Sequence, residues 1–189
     1  MSTVRINETI SVDEYLEGEL VSQVKHEYVA GAVFAMVGAK NAHNIIGGNA
    51  FLAFGSRLKG QQCRPFNSDT KIRIRMKGHV RFYYPDMSVI CKPNALSETY
   101  QDEPIVIVEV LSDSTRRLDD GEKKDAYFTI PSLTHYILLE QESPVAVVYQ
   151  RAGEHFERHE FTNLTDVIVI EDLDLRVPLQ EFYDGVLSQ

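Results

Sequence analysis

The 189-residue chain contains no tryptophan and only two cysteines. Without tryptophan it offers none of the broad aromatic platforms on which a sugar ring stacks, which counts against a carbohydrate-directed site. Cys63 and Cys91 are far apart and outside any CxxC pattern. They therefore indicate neither a zinc site nor a disulfide framework, and are expected to be reduced core thiols. No apolar run approaches the roughly 20 residues needed to cross a bilayer, so no membrane role is expected. The opening stretch MSTVRINETISVDEYLEGEL is acidic and broken by polar residues. It lacks a signal peptide's apolar core and a transit peptide's basic character, so a cytoplasmic location is the expectation. Positive charge is also scarce: 19 Lys and Arg against 28 Asp and Glu give a formal net charge of −9. That balance counts against general affinity for nucleic acid, most of which comes from basic side chains displacing counterions. The basic stretch KIRIRMKGHVR (71–81) and the residues Arg116, Arg117, Lys123 and Lys124 offset the objection only in part.

What is present describes a soluble globular chain, with 43% hydrophobic and 25% charged residues, and its length suits a single domain over residues 1–189. Ser11 followed by Glu14 has the form of a capping box ahead of a short acidic helix. VKHEYVAGAVFAMVGA (24–39) carries Glu27 at the end of a short helical or extended piece, turns at Gly31 and continues as a strand. Asn41 is placed to cap a long helix whose buried stripe is expected to be Ile45, Ile46, Phe51, Leu52 and Leu58. KIRIRM alternates with period two, and VRFYYPDMSVI reads as its antiparallel neighbour. The aliphatic run IVIVEVL reads as a strand buried on both faces, followed by the helix LDDGEKKDAYFTI. TIPSLTHYILLEQ, SPVAVVYQ and HFERHEF are further strands, and VPLQEFYDGVL is a closing helix. The fold class is therefore mixed α and β, with a central mixed sheet.

The candidate chemistry starts from Glu109 in PIVIVEVLSDST (104–115). Alternation along a strand puts Glu109 on one face with Ile105, Ile107 and Leu111, and puts Val106, Val108 and Val110 on the other. A carboxylate among aliphatics requires a cation, a metal ion or a proton, although a strand-end ion pair answers the same need. Asp86 in YYPDMSVI also interrupts an apolar strand, after a proline that marks an edge or bulge. If the two strands are adjacent the carboxylates converge, and a pair of that kind suits magnesium or manganese. Lys123 lies one turn after Asp119 and one turn before Tyr127, so it shares the sheet-facing side of its helix. The plainer alternative is a solvated lysine paired with Asp119. Lys124 is expected to face solvent.

Taken together, a Pro-Asp on one strand, a Glu on a following apolar strand and a lysine on the next helix resemble the PD-(D/E)XK nuclease superfamily. The variant is the one whose lysine has left the Glu strand, since Leu111 occupies that position. More narrowly, YPDMSVI, PIVIVEVLSDST and DDGEKKDAYFTIPSLTHYILLE are similar to the Uma-two family of proposed restriction endonucleases. HEYVAGAVFAMVGAKNAH extends the similarity upstream and aligns Glu27 and His43, so it spans about residues 10–150. The resemblance implies a restriction-endonuclease-like α/β core, a central mixed β-sheet flanked by α-helices, and magnesium-dependent hydrolysis of DNA. It implies metal ligation by Asp86, Glu109 and the main-chain carbonyl of Val110, a water-positioning role for Lys123, and Glu27 in the acidic cluster. His43 is placed near the phosphate; by itself a histidine near a helix start reads as a cap or surface residue. Asp69 reads as a turn residue, and Ser112 and Ser114 as shapers of the loop into the helix. A homodimer is expected by fold analogy, because cutting two strands needs two sites.

Two other readings compete. A nuclease-fold binding or assembly module that no longer cuts predicts dispensable carboxylates and no magnesium binding. A two-carboxylate hydrolase acting on sugars needs no metal, but the lysine and the missing tryptophan count against it.

Overall fold

In the computed structural model, which describes residues 9–112 and 115–186, Ser11 opens helix α1 (Val12–Val21) with both halves of the expected capping box. The Glu14 amide donates to Ser11 Oγ at 3.2 Å, and the Ser11 amide donates to Glu14 Oε2 at 2.8 Å. Strands β1 (His26–Val29) and β2 (Ala32–Ala35) form a hairpin. Its turn requires a glycine: Gly31 has φ +95°, and a Cβ there would lie 2.8 Å from that of Thr9. Helix α2 (Asn41–Leu58) follows, with Lys40 rather than Asn41 at its N-cap and no side-chain cap bond.

Next come β3 (Arg64–Asn67), β4 (Lys71–Met76), β5 (His79–Tyr83), β6 (Met87–Ile90), β7 (Tyr100–Gln101) and β8 (Pro104–Leu111). A π-helical turn, Leu118–Lys123, runs into α3 (Lys124–Phe128). The chain closes with β9 (His135–Glu140), β10 (Ala146–Ala152), β11 (His155–Phe161), β12 (Val167–Ile170), β13 (Leu175–Pro178) and α4 (Leu179–Phe182). No helix among the described residues is long and apolar enough to cross a membrane.

The strands form a five-stranded sheet in the order β2-β1-β5-β4-β7, a six-stranded sheet in the order β11-β10-β9-β8-β6-β3, and the hairpin β12-β13. β4 and β5 are antiparallel neighbours as expected. VRFYYPDMSVI, however, is two strands rather than one. It breaks at Tyr84-Pro85-Asp86 and crosses from the five-stranded to the six-stranded sheet, because proline has no N–H to continue a ladder. The six-stranded sheet is mixed, with β8 and β9 parallel across the π turn and α3.

β8 realises its alternation. Val106, Val108 and Val110 pack with Ile46, Ala50, Ala53, Phe54 and Leu58 of α2. Ile107 and Leu111 pack on the other face with Ala126 and Tyr127 of α3. Ile105, near the bulge between Val89 and Ile90 of β6, instead joins the α2 side. The buried stripe of α2 is also rotated from the expected one: Ile45, Phe51 and Leu52 are exposed. The sheet accepts the face of Ile46, Ala50, Ala53, Phe54 and Leu58 and leaves those three side chains outside.

The cysteines need a second correction. Cys63 and Cys91 are joined in a disulfide. Antiparallel pairing of Arg64 with Ile90 places the residues just beyond them opposite each other, which their spacing of 28 positions gave no means to anticipate.

Candidate active site

The site lies where β6 meets β8. Met87 pairs with Val108, so Asp86, one residue earlier, falls beside Glu109. The Val110 amide donates to Asp86 Oδ2 at 2.7 Å, and the Asp86 amide points at Glu109 Oε2 from 3.4 Å. From α2, His43 Nε2 reaches Asp86 Oδ1 at 2.9 Å. His43 is thus tied to the carboxylate rather than serving as a cap or a surface residue. Val110, whose carbonyl is an expected ligand, lines the same cleft.

Lys123 enters from the π turn. Its Nζ stands 2.7 Å from Glu27 Oε1, 3.3 Å from Asp119 Oδ1 and 3.9 Å from Glu109 Oε1, with the Tyr83 ring 5.4 Å away. Glu27, Glu109, Asp119 and Lys123 are all buried. Glu27 projects from strand β1, not from a helix. Lys123 is therefore the inward lysine, whereas Lys124 turns out to pair with Asp120 at 3.0 Å.

One ammonium does not balance this much buried negative charge. Burial pushes the Glu109 carboxyl well above its ordinary range; Lys123 opposes this, while Asp119, Asp86 and Glu27 add to it. Burial likewise raises Glu27 against the pull of Lys123. Burial alone would lower Lys123, but Glu109, Glu27 and Asp119 outweigh it and hold the ammonium firmly protonated. For His43 too, the Asp86 hydrogen bond and charge overcome burial and raise the imidazole.

His43, Asp86, Glu109, Asp119 and Lys123 line an open cleft of about 640 Å³, and Glu27 reaches it through Lys123. Lys25 and Lys40 are also in its lining, but Lys25 pairs with Asp69 at 2.6 Å and Lys40 with Glu142 at 3.3 Å. Among the described residues, much of the charge of the basic stretches is paired. Arg73 and Arg75 both bind Asp102, Arg81 binds Glu122, and Arg116 binds Glu140. Asp69 sits in its expected turn, its amide donating to Asn67 Oδ1 at 3.2 Å. Ser112 shapes the loop start through Thr115, while Ser114 lies outside the described residues.

Two site residues were not singled out as functional in the sequence. Asp119 is buried against Lys123 rather than solvated, and its spacing of four from Lys123 was the available signal. Gln141, just past β9, is buried in the cleft lining, and its Oε1 has no hydrogen-bond partner among the described residues. Nothing local in EQES marks it, because only the parallel pairing of β8 with β9 brings it there.

The chain belongs to the Uma2 family, described as "Putative restriction endonuclease", whose model matches residues 12–180. The match runs past the motifs to include β12, β13 and part of α4. Two uncharacterized proteins of Synechocystis sp. are similar. One, slr1290, is 35% identical over 143 residues, covering 75% of this chain and 74% of that protein. The other, sll1609, is 29% identical over 157 residues, covering 82% and 88%. The crystal structure titled as a "putative nuclease belonging to DUF820" from Anabaena variabilis superposes with a TM-score of 0.74 at 17% identity. It covers 94% of this chain and 99% of that one, so the two chains share a fold; with the Uma2 match, this α/β fold is the restriction-endonuclease-like one.

Proposed function

Starting from Uma2 membership, we propose that this protein is a divalent-metal-dependent endonuclease that hydrolyses DNA phosphodiester bonds. The observation that carries the reading is the surplus of buried carboxylate around Lys123 and beside Asp86, at the floor of an open cleft. Such a surplus is costly unless a proton or a cation joins it.

The residues fit a magnesium or manganese ion. No three Asp, Glu, His or Cys side chains among the described residues form a complete ligand group. Magnesium does not need one, since it takes one or two carboxylates and keeps several waters. Asp86 and Glu109 would supply those carboxylates, with the Val110 carbonyl as a third oxygen. A bound ion supplies Lewis-acid polarisation of a phosphoryl oxygen and lowers the pKa of an attacking water.

The protein's own groups do the rest. Lys123, held protonated by its carboxylate neighbours, cannot act as a base; it orients the water and sets positive charge where negative charge develops. Glu27 and Asp119 position that ammonium. His43 orients Asp86 from the side opposite to the Val110 amide's oxygen, using Oδ1 while the amide uses Oδ2. A homodimer would present two such sites to the two strands.

The three ion pairs of Lys123 also favour a second reading, in which the cluster is only structural and the protein is a non-cutting module. Calorimetry with magnesium or manganese, wild type beside Glu109→Ala, separates the two when plasmid nicking is followed on the same samples. Binding and nicking that both disappear in the variant support the nuclease. A wild type that binds no metal at millimolar concentration with DNA present leaves only the module.

A further inference from the structure

Beside the cleft, on the α2 side of Asp86, lies a groove of about 350 Å³. One face of α2 builds it with Asn44, Gly47, Gly48 and Phe51, spaced three and four residues apart. Asn67 and Ser68, at the end of β3, add amide and hydroxyl groups. Phe51, expected in the core, is 38% exposed here. The groove shares His43, Asn44, Ser68 and Asp86 with the main cleft, so the two are continuous. In that adjoining cleft the buried Gln141 Oε1 has no hydrogen-bond partner among the described residues, as an acceptor open to a ligand would.

The chemistry of the groove selects its occupant. Among the described residues no lysine or arginine lines it, so it is not built to hold a phosphate. It offers an aromatic face, amides and a hydroxyl, the means by which proteins hold an unstacked base. Gly48 lines the groove beside open space: a Cβ there would meet nothing within 4 Å, so a larger side chain has room to extend. We propose that this groove binds the base of the nucleotide adjoining the scissile phosphodiester, stacked on Phe51, and that the preferred substrate is therefore unpaired at that position. The proposal rests on the nuclease reading for the scissile bond, though not for the base-binding groove. A base buried here must leave its duplex stack, which favours single-stranded or distorted substrates.

Gly48→Leu fills the groove without threatening the fold, because leucine is a far better helix former than glycine and the position is open. Fluorescence anisotropy would follow binding of a labelled single-stranded oligonucleotide and of its duplex, in EDTA, with thermal melting as the folding control. Wild type should prefer the single strand. Gly48→Leu and Phe51→Ala should each weaken that binding roughly tenfold. Leu52→Ala, exposed on the same helix but outside the groove, should not. Equal binding by wild type and a folded Gly48→Leu, or no single-strand binding by wild type, overturns the proposal. Cleavage in magnesium or manganese, read on the same samples, separates the two ideas. Groove-dependent binding with an intact strand sinks the nuclease but keeps the base site, whereas cleavage unchanged in Gly48→Leu sinks the base site but keeps the nuclease.

Discussion

Lys123 Nζ lies 2.7 Å from Glu27 Oε1, and both side chains are more than nine-tenths buried. The pair joins β1 of the five-stranded sheet to the π turn that follows β8 of the six-stranded sheet, so one ion pair ties the two sheets together at the cleft. Removing the cation leaves Glu27, Asp119 and Glu109 facing each other without compensation. Lys123→Met should therefore destabilise the protein by about 3–5 kcal/mol, read by urea unfolding. A Lys123→Met protein as stable as wild type would show that these carboxylates are not charged together.

Glu109 should behave in the opposite way. Its folded-state carboxyl titrates above the unfolded one, chiefly because it is buried. The folded state thus holds the proton more tightly; that stability is complete below the unfolded pKa and is lost as pH rises through the folded pKa. Glu109→Gln removes the ionisation, so in EDTA it should melt higher than wild type, by a margin that widens from acid to neutral pH. Magnesium should raise the wild type and not the variant. Parallel melting curves across the pH range would contradict this account.

Asp102 shows the reverse sign. Burial alone would raise its carboxyl, but the paired bonds from Arg73 at 2.7 and 2.8 Å, with Asn94 and Arg75, bring it below its ordinary range. Its stabilisation is present above the unfolded pKa and lost as pH falls through the folded one. Asp102→Asn should cost about 1–2 kcal/mol at neutral pH, and the difference from wild type should vanish in strong acid. Chemical denaturation at two pH values checks it.

The Cys63–Cys91 bridge closes a loop of 28 positions. Replacing both cysteines by serine should lower stability by about 2–4 kcal/mol, and the unreduced protein should titrate no free thiol with a chromogenic disulfide reagent. A full complement of two thiols in freshly purified protein would argue that the pair is reduced.

The local order of the chain determined much of this site. Alternation along β8 put Glu109 on one face and three valines on the other, and the spacing of Lys123 from Asp119 and Tyr127 put the ammonium toward the sheet. The capping box at Ser11 followed from two residues. Each is a relation within one element, where backbone geometry alone sets which side chains are neighbours. Only the tertiary structure decided the relations between elements. Strand pairing brought Asp86 to Glu109, and it also brought Cys63 to Cys91. The break at Pro85 sent one apolar run into two sheets. Docking of α2 by the face of Ile46, Ala50, Ala53, Phe54 and Leu58 left Phe51 outside, in a groove, instead of in the core. Packing chooses among faces of nearly equal hydrophobicity by how closely they approach, and that choice depends on partners remote in sequence.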